Sequence, residues 1–115
     1  MLTIRKEQMK AFERSRMGDF EHRLIGHLGR LLEDAKVPAG EGELASQVHV
    51  GIERGLRYFR KENDLARYCE IVLLKLGGWT DQDHPQPAVQ MLQSKAVAPD
   101  VRLRNFERWA TLRRA

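Results

Sequence analysis

The strongest constraint on this chain is an apolar segment, Asp64–Leu76, that is followed directly by two glycines. At about 100° per residue, most apolar side chains of this segment fall on one face of a helix. They are Leu65, Ala66, Tyr68, Cys69, Val72, Leu73 and Leu76. Asn63 or Asp64 can cap the start of the helix, and the glycine pair can end it in a left-handed turn. The segment therefore predicts a central helix that contacts several neighbours.

The opposite face of this helix is mixed. It carries Arg67, Glu70 and Lys75, but also Ile71 and Leu74. A helix that is apolar on two sides is either surrounded by its own domain or presents a site for a partner. We interpret Ile71 and Leu74, together with Arg67 and Glu70, as candidate partner-binding residues.

Residues 4–34 are also predicted to be helical, with Thr3 as the cap. The apolar stripe changes phase near Gly18, and Asp19 is available as a second cap. Two alternatives fit this pattern: two helices, or one long helix kinked at Gly18. We favour one helix, because no proline or long polar run intervenes.

A loop at residues 37–42 separates this segment from a helix predicted over about 43–60. Gly51 and Gly55 lie four residues apart on the apolar side of that helix. Since glycine costs roughly 1 kcal/mol in a helix interior, the pair indicates either the close approach of another helix or a tolerated weak helix.

Two shorter patterns complete the chain. Pro87 suits the first turn of a short helix over about 88–95, and a last helix is predicted over 100–113. No strand-like alternation and no repeat occurs. The fold class is therefore all-α, a compact bundle of five to six helices in a single domain over residues 1–115. The side chains predicted to be buried are Phe12, Phe20, Leu24, Leu28, Leu31, Val48, Ile52, Leu56, Tyr68, Val72, Leu73, Leu76, Phe106 and Trp109.

The composition is that of a folded protein with a modest positive charge. Of 115 residues, 42% are hydrophobic and 31% charged, and the formal net charge is +4. Residues 99–115 carry five arginines against two acids, so the excess lies largely in the last predicted helix. The single cysteine, Cys69, excludes an internal disulfide and is interpreted as a small core hydrophobe. The N-terminus lacks an apolar targeting segment, so we expect a cytoplasmic protein without a membrane partner.

Residues that usually carry catalysis or bind metals do not form a recognisable constellation. His22 and His27 are five apart, so they point about 140° apart on a helix and cannot share a metal. Asp81 and Asp83 form a D-x-D pattern, but the glycine and glutamate that an EF-hand needs are missing. We favour capping or a turn before Pro85. We predict no catalytic residue, no cofactor and no metal site, and therefore a protein that is not an enzyme.

Two groups of basic residues remain as candidate binding sites. Arg54, Arg57 and Lys61 follow one flank of the helix predicted over about 43–60. The arginines of the last helix surround Trp109 and are Arg102, Arg104, Arg108, Arg113 and Arg114. Arginines beside an aromatic ring can bind phosphate backbones, but no helix-turn-helix pattern is present. We favour solvated faces, or salt-bridge partners for an acidic protein.

Short pieces spread along the chain form a recognisable order. They are Ile4-Arg-x-Glu-Gln8 with Phe12, Phe20-x-x-Arg23, His27-Leu28, Gly51-Ile52-x-Arg54, Tyr58, Glu62-x-Asp64-x-Ala-Arg-Tyr68, Leu76-Gly77 and Asp81-x-Asp83. This order resembles a family of small helical bacterial proteins that are commonly encoded beside type VI secretion spike and toxin genes. The resemblance covers residues 4 to about 105. It departs at Pro87-Ala88-Val89, where the family usually has Pro-Trp-Ala.

The family has no established catalytic residues, so the resemblance implies an accessory role in toxin delivery or protection: an adaptor, a chaperone or an immunity-type protein. Our leading hypothesis is a non-enzymatic protein-interaction module whose partner is another protein, such as a secreted toxin or a spike component. The candidate partner-binding residues are Arg67, Glu70, Ile71, Leu74, Arg54, Arg57 and Lys61. The alternative is a small nucleic-acid-binding protein that uses the arginines of the last helix.

Overall fold

The described residues form five α-helices and no strand. In the computed structural model these residues are 6–37 and 41–114, with side chains described from 18 to 37 and from 43 to 113. The helices are α1 (Lys6–Asp34), α2 (Glu41–Gly55), α3 (Glu62–Ile71), α4 (Gln86–Gln93) and α5 (Pro99–Arg114). The prediction of an all-α bundle is therefore confirmed. No helix among these residues is long and apolar enough to cross a membrane.

The first helix, α1, is continuous over 29 residues, which makes it about 43 Å long. Gly18 and Asp19 lie inside it, so the single helix is the right alternative and Asp19 is not a cap. Every fourth side chain then turns toward the other helices. The buried ones are Phe20, Leu24, Leu28 and Leu32. The predicted Thr3 cap and the side chain of Phe12 lie outside the described residues.

The second helix ends at Gly55, about five residues earlier than predicted. The N–H groups of Tyr58 and Phe59 both donate to the carbonyl oxygen of Gly55, at 2.9 and 2.8 Å, and so the chain turns away from the helix axis. This turn directs Phe59 into the core, where it is 2% exposed, and leaves Leu56 43% exposed. The prediction that Leu56 is buried is therefore wrong.

The central helix begins at Glu62, with Lys61 as its N-cap residue and no side-chain cap, so the predicted Asn63 or Asp64 cap is wrong. It continues beyond Ile71 as a wide π-helical turn, Val72–Leu76. Gly77 ends that turn with φ +80°, a left-handed conformation that glycine adopts without strain. The predicted glycine stop is therefore confirmed.

The core forms around α3, which contacts α1, α2 and α5. Of the predicted core residues, Leu31, Leu76 and Trp109 are only half-buried, because they pack at its edge. Trp79, just after the glycine pair, was not predicted and is 7% exposed. The most deeply buried large side chains are Tyr68, Phe59, Phe106, Leu28, Leu65, Leu92, Val48 and Val72.

Gly51 and Gly55 provide space for other side chains, so the first of their two interpretations is right. A Cβ atom on Gly51 would lie 2.7 Å from Cζ2 of Trp79 and 2.8 Å from Sγ of Cys69. A Cβ atom on Gly55 would lie 2.8 Å from Cδ2 of Leu65. All three distances are too short for real Cβ contacts, and therefore α3 and Trp79 approach α2 more closely than any larger residue would allow.

Candidate functional site

The predicted partner-binding surface on α3 is largely covered by the protein itself. Ile71 is 2% exposed, so its assignment to an accessible docking surface is wrong. Leu74 and Glu70 are half-buried, and Leu74 packs against the core. Arg67 is exposed and donates to Oε2 of Glu107 on α5 at 2.8 Å. The mixed face of α3 therefore contacts α5, which explains its apolar content.

The three cations predicted on one helix flank do not form one row along a single helix, and Arg54 lies apart from the other two. Arg54 donates from Nη2 to the carbonyl oxygen of Thr80 at 2.8 Å and from Nη1 to that of Gln82 at 3.2 Å. Arg57 pairs with Asp83 at 3.2 Å on an exposed surface. Lys61 lies at the start of α3, because α2 has already ended.

The arginines of α5 also differ in their environments, since one is buried and the three others with described side chains are exposed. Arg102 is only 9% exposed and is held by backbone carbonyl oxygens, so it does not belong to an exposed arginine face of α5, contrary to the prediction. Arg104, Arg108 and Arg113 are exposed. The Arg113 guanidinium lies 5.2 Å from the centre of the Trp109 ring, a cation–π distance. The side chain of Arg114 lies outside the described residues.

The structure instead brings basic residues from four segments around one depression of about 320 Å³. We call it the basic pocket. The charged side chains in its lining are Arg57, Arg60, Lys61, Lys95, Arg102 and Asp64. Among the described residues, five cations thus face a single carboxylate. They come from the α2–α3 turn, the start of α3, the α4–α5 loop and α5. Such an arrangement concentrates positive potential in a concave space and attracts anionic groups.

Arg102 is fixed in the wall of the basic pocket by backbone acceptors. Its Nε donates to the carbonyl oxygen of Val97 at 3.0 Å. Its Nη1 donates to the carbonyl oxygens of Tyr58 at 3.2 Å and Leu92 at 2.8 Å. The guanidinium also lies 5.2 Å from the centre of the Phe59 ring. No carboxylate of the described residues pairs with it. Sequence periodicity could not reveal this role, because the three carbonyls are brought together only by the fold.

Beside the basic pocket, residues 77–85 form a loop that is fixed to the bundle by buried polar contacts. Gln47 on α2 accepts from the Trp79 backbone N–H at 2.6 Å and donates to its carbonyl oxygen at 3.2 Å. The Trp79 indole N–H donates to the Tyr68 hydroxyl at 3.4 Å, and Nε2 of His84 lies 2.6 Å from the same hydroxyl. The amide of Gln47 therefore satisfies both backbone hydrogen-bonding groups of Trp79, as a neighbouring strand would in a sheet.

Burial shifts the ionisation of three groups in and next to this loop. It raises the pKa of the Tyr68 hydroxyl well above its usual value and that of the Cys69 thiol to about 12. Burial and the positive charge of Arg54 lower the pKa of His84, while Asp83 acts in the opposite direction. All three groups are therefore neutral in the folded protein at neutral pH, and Tyr68 and Cys69 are fully buried.

The D-x-D pattern contributes a turn and an ion pair. Oδ1 of Asp83 accepts from the His84 backbone N–H at 2.9 Å, and its Oδ2 pairs with Arg57. Asp81 is exposed to solvent. Within the described part of the chain, no three His, Cys, Asp or Glu side chains lie close enough together to hold a metal ion.

Comparison with known proteins does not assign this site. No protein-family profile, no curated protein and no solved structure matches the chain. The functional interpretation therefore depends on the geometry of the basic pocket.

Proposed function

We propose that this protein is a non-enzymatic interaction module that docks an acidic segment of a partner protein in the basic pocket. The observation that carries the proposal is the lining of the pocket, which contains five cations and one carboxylate, that of Asp64. One of the five, Arg57, is paired with Asp83, so four cations of the lining have no ion-pair partner among the described residues. Docking of this kind depends on charge complementarity, which sets the association rate and the choice of partner.

The shape of the site supports a protein partner. A depression of about 320 Å³ is at the lower end of the size of ligand pockets and accommodates a few side chains. Tyr58 and Pro99 contribute apolar surface to the lining beside the cations. A nucleic acid backbone would instead favour a continuous basic stripe or groove. Arg104, Arg108 and Arg113 on α5 are exposed, so nucleic-acid binding by that helix is the alternative function.

The resemblance to small helical proteins encoded beside type VI secretion genes supports the same class of function. In that setting, the partner would be a secreted toxin or a spike component, and the protein would act as its adaptor, chaperone or immunity-type protein. Each of these roles requires a docking surface and no catalytic residue.

A charge-reversal experiment tests the proposal. The tagged protein is recovered from its native host after nuclease treatment, in three forms: wild type, Lys61→Glu/Lys95→Glu and Arg104→Glu/Arg108→Glu. The two double variants change the net charge equally, but only the first alters the basic pocket. We expect wild type and the α5 variant to recover the same acidic protein, and the pocket variant to recover about tenfold less of it.

Two results would overturn the proposal. The first is equal loss of the protein partner in both double variants. The second is recovery of nucleic acid that nuclease removes and that Arg104→Glu/Arg108→Glu abolishes, which would establish the alternative. All four substituted side chains are exposed, so we expect the fold to remain intact. Thermal unfolding of all three forms checks this expectation.

A further inference from the structure

We infer that Nη2 of Arg102 is the anchor for a carboxylate group of the bound partner, at the base of the basic pocket. This inference rests on the proposed function and specifies the chemical group that the pocket recognises. It assigns Arg102 a binding role in addition to its structural one.

The hydrogen bonds of Arg102 leave one nitrogen available. Arginine has five N–H donors: one on Nε and two on each terminal nitrogen. The bonds to Val97, Tyr58 and Leu92 use the Nε–H and both N–H groups of Nη1. Among the described residues, no acceptor is bonded to Nη2. No fully buried side-chain nitrogen there lacks a partner, so Nη2 retains some solvent exposure, and Arg102 is one of the residues that line the basic pocket.

The surroundings of Arg102 make this nitrogen a strong anion donor. The side chain is nine-tenths buried, and its guanidinium is held by three carbonyl oxygens and the Phe59 ring. A bound oxygen would therefore cause little further loss of side-chain entropy. Water is largely excluded around the guanidinium, so its charge is screened less than that of an exposed arginine. Carbonyl dipoles stabilise this charge without cancelling it, unlike a carboxylate partner.

The rim of the pocket would complete the site for a carboxylate. Lys61 and Lys95 are exposed residues of the pocket lining, so they supply charge without fixed geometry. Tyr58 and Pro99 supply apolar surface that can contact the methylene groups of a glutamate or aspartate side chain. The pocket therefore fits an acidic side chain, with its oxygen on Arg102 and its stem against these two residues.

The test uses an acetylated and amidated tetra-glutamate peptide as the probe and the tetra-glutamine peptide as its control, at constant ionic strength. Nuclear magnetic resonance follows the arginine side-chain N–H signals of the full chain. We expect saturable shifts of the Arg102 signals with the glutamate peptide and none with the glutamine peptide. Lys61→Gln and Lys95→Gln should each weaken binding about threefold, whereas the matched variants Arg104→Gln and Arg108→Gln should leave it unchanged.

Arg102→Lys tests the anchor directly, because it keeps the charge and removes Nη2. If this variant folds, we expect about tenfold weaker binding of the glutamate peptide. If the variant does not fold, the position of the bound peptide is tested in wild type instead. Magnetic resonance contacts between the methylene protons of the peptide and the Tyr58 ring would place the glutamate side chain in the basic pocket. Shifts that appear only at Arg104 and Arg108 would refute the inference, and so would equal shifts of the Arg102 signals with the glutamate and the glutamine peptides. The Arg102 signals could remain unchanged on addition of the glutamate peptide while the Lys61→Glu/Lys95→Glu protein still fails to recover the native partner. In that case the inference about Arg102 fails and the proposed function stands.

Discussion

The Tyr68 hydroxyl and Nε2 of His84 lie 2.6 Å apart inside the bundle, although 16 residues separate them in the chain. The Trp79 indole also donates to this hydroxyl. In the neutral tautomer that carries its proton on Nδ1, Nε2 of His84 accepts the hydroxyl proton, and protonation of the ring removes this acceptor. One of the contacts that attach the 77–85 loop to the bundle therefore depends on the protonation state of His84.

Stability should consequently fall in mild acid. The folded-state pKa of His84 lies below its ordinary value of 6.5, so the unfolded chain takes up a proton at a higher pH than the folded protein does. The contribution of His84 to stability is complete above pH 6.5, and it is lost as the pH falls from there toward the folded-state pKa. Urea unfolding at pH 7.5 and pH 5.0 measures the loss.

The matched control for this effect is His84→Gln, which retains a side-chain acceptor and does not titrate. His22, His27 and His49 are exposed and unchanged in the variant. The difference between wild type and variant therefore isolates His84. An equal loss of stability in both proteins between the two pH values would contradict the assignment.

Gly51→Ala should destabilise the protein by about 2 kcal/mol, because the new methyl group would collide with Trp79 and Cys69 inside the core. Gly26→Ala is the control, since its Cβ atom would meet nothing within 4 Å. That substitution should stabilise α1 by up to about 1 kcal/mol through helix propensity alone. Equal stabilities of the two variants in urea unfolding would show that Trp79 does not occupy this position.

Arg102→Ala should lower the free energy of unfolding by about 3 kcal/mol. The substitution leaves the carbonyl oxygens of Tyr58, Leu92 and Val97 without their donor and removes the contact with Phe59. Arg104→Ala, two residues along the same helix and exposed, should change stability by less than about 0.5 kcal/mol. Similar unfolding midpoints for the two variants would refute the structural role of Arg102.

Ile71→Ala should cost about 3 kcal/mol, since it leaves a cavity between α3 and its neighbours. Leu112→Ala provides a control on α5, where the leucine is 70% exposed and should contribute little. Chemical unfolding measures the loss of stability in both variants and so distinguishes the buried Ile71 from the exposed Leu112. A small effect of Ile71→Ala would restore the earlier hypothesis that this residue belongs to an accessible surface.

Cys69 should be inert toward thiol reagents in the folded protein. It is fully buried, and burial raises the pKa of its thiol to about 12. Modification should therefore require opening of the structure and should be at least about 100-fold slower in buffer than in urea. A Cys69→Ala/Ser46→Cys protein, with its thiol on the exposed face of α2, should react freely without urea. Rapid labelling of wild type in buffer would contradict the buried position.

Most helices could be predicted because their bonds and their apolar periodicity are local. The stripe from Phe20 to Leu28 and the glycine stop at Gly77 show this agreement. The end of α2 was missed, because the turn after Gly55 is stabilised by the burial of Phe59, which depends on distant residues. Trp79 was missed for a similar reason, since its acceptor and its space come from Gln47 and Gly51 on another helix.

The candidate site was predicted only in part. Arg57 and Lys61 were identified as binding residues, whereas Arg60 and Lys95 were not, because no helical spacing connects them. The assignment of Ile71 to a docking surface was wrong, because the sequence shows that a face is apolar but does not show what covers it. Here the cover is α5, which follows α3 in the chain by nearly thirty residues.

The sequence by itself determined the class of fold, the approximate helices and the central position of α3. These properties depend on hydrogen bonds and side-chain spacing within a few residues of one another. Only the tertiary structure decided which cations are accessible. Arg102 and Arg104 have the same chemistry and the same helix, yet one is fixed by three carbonyl oxygens and the other is exposed. That difference arises from residues 58, 92 and 97, which become neighbours only when the chain has folded.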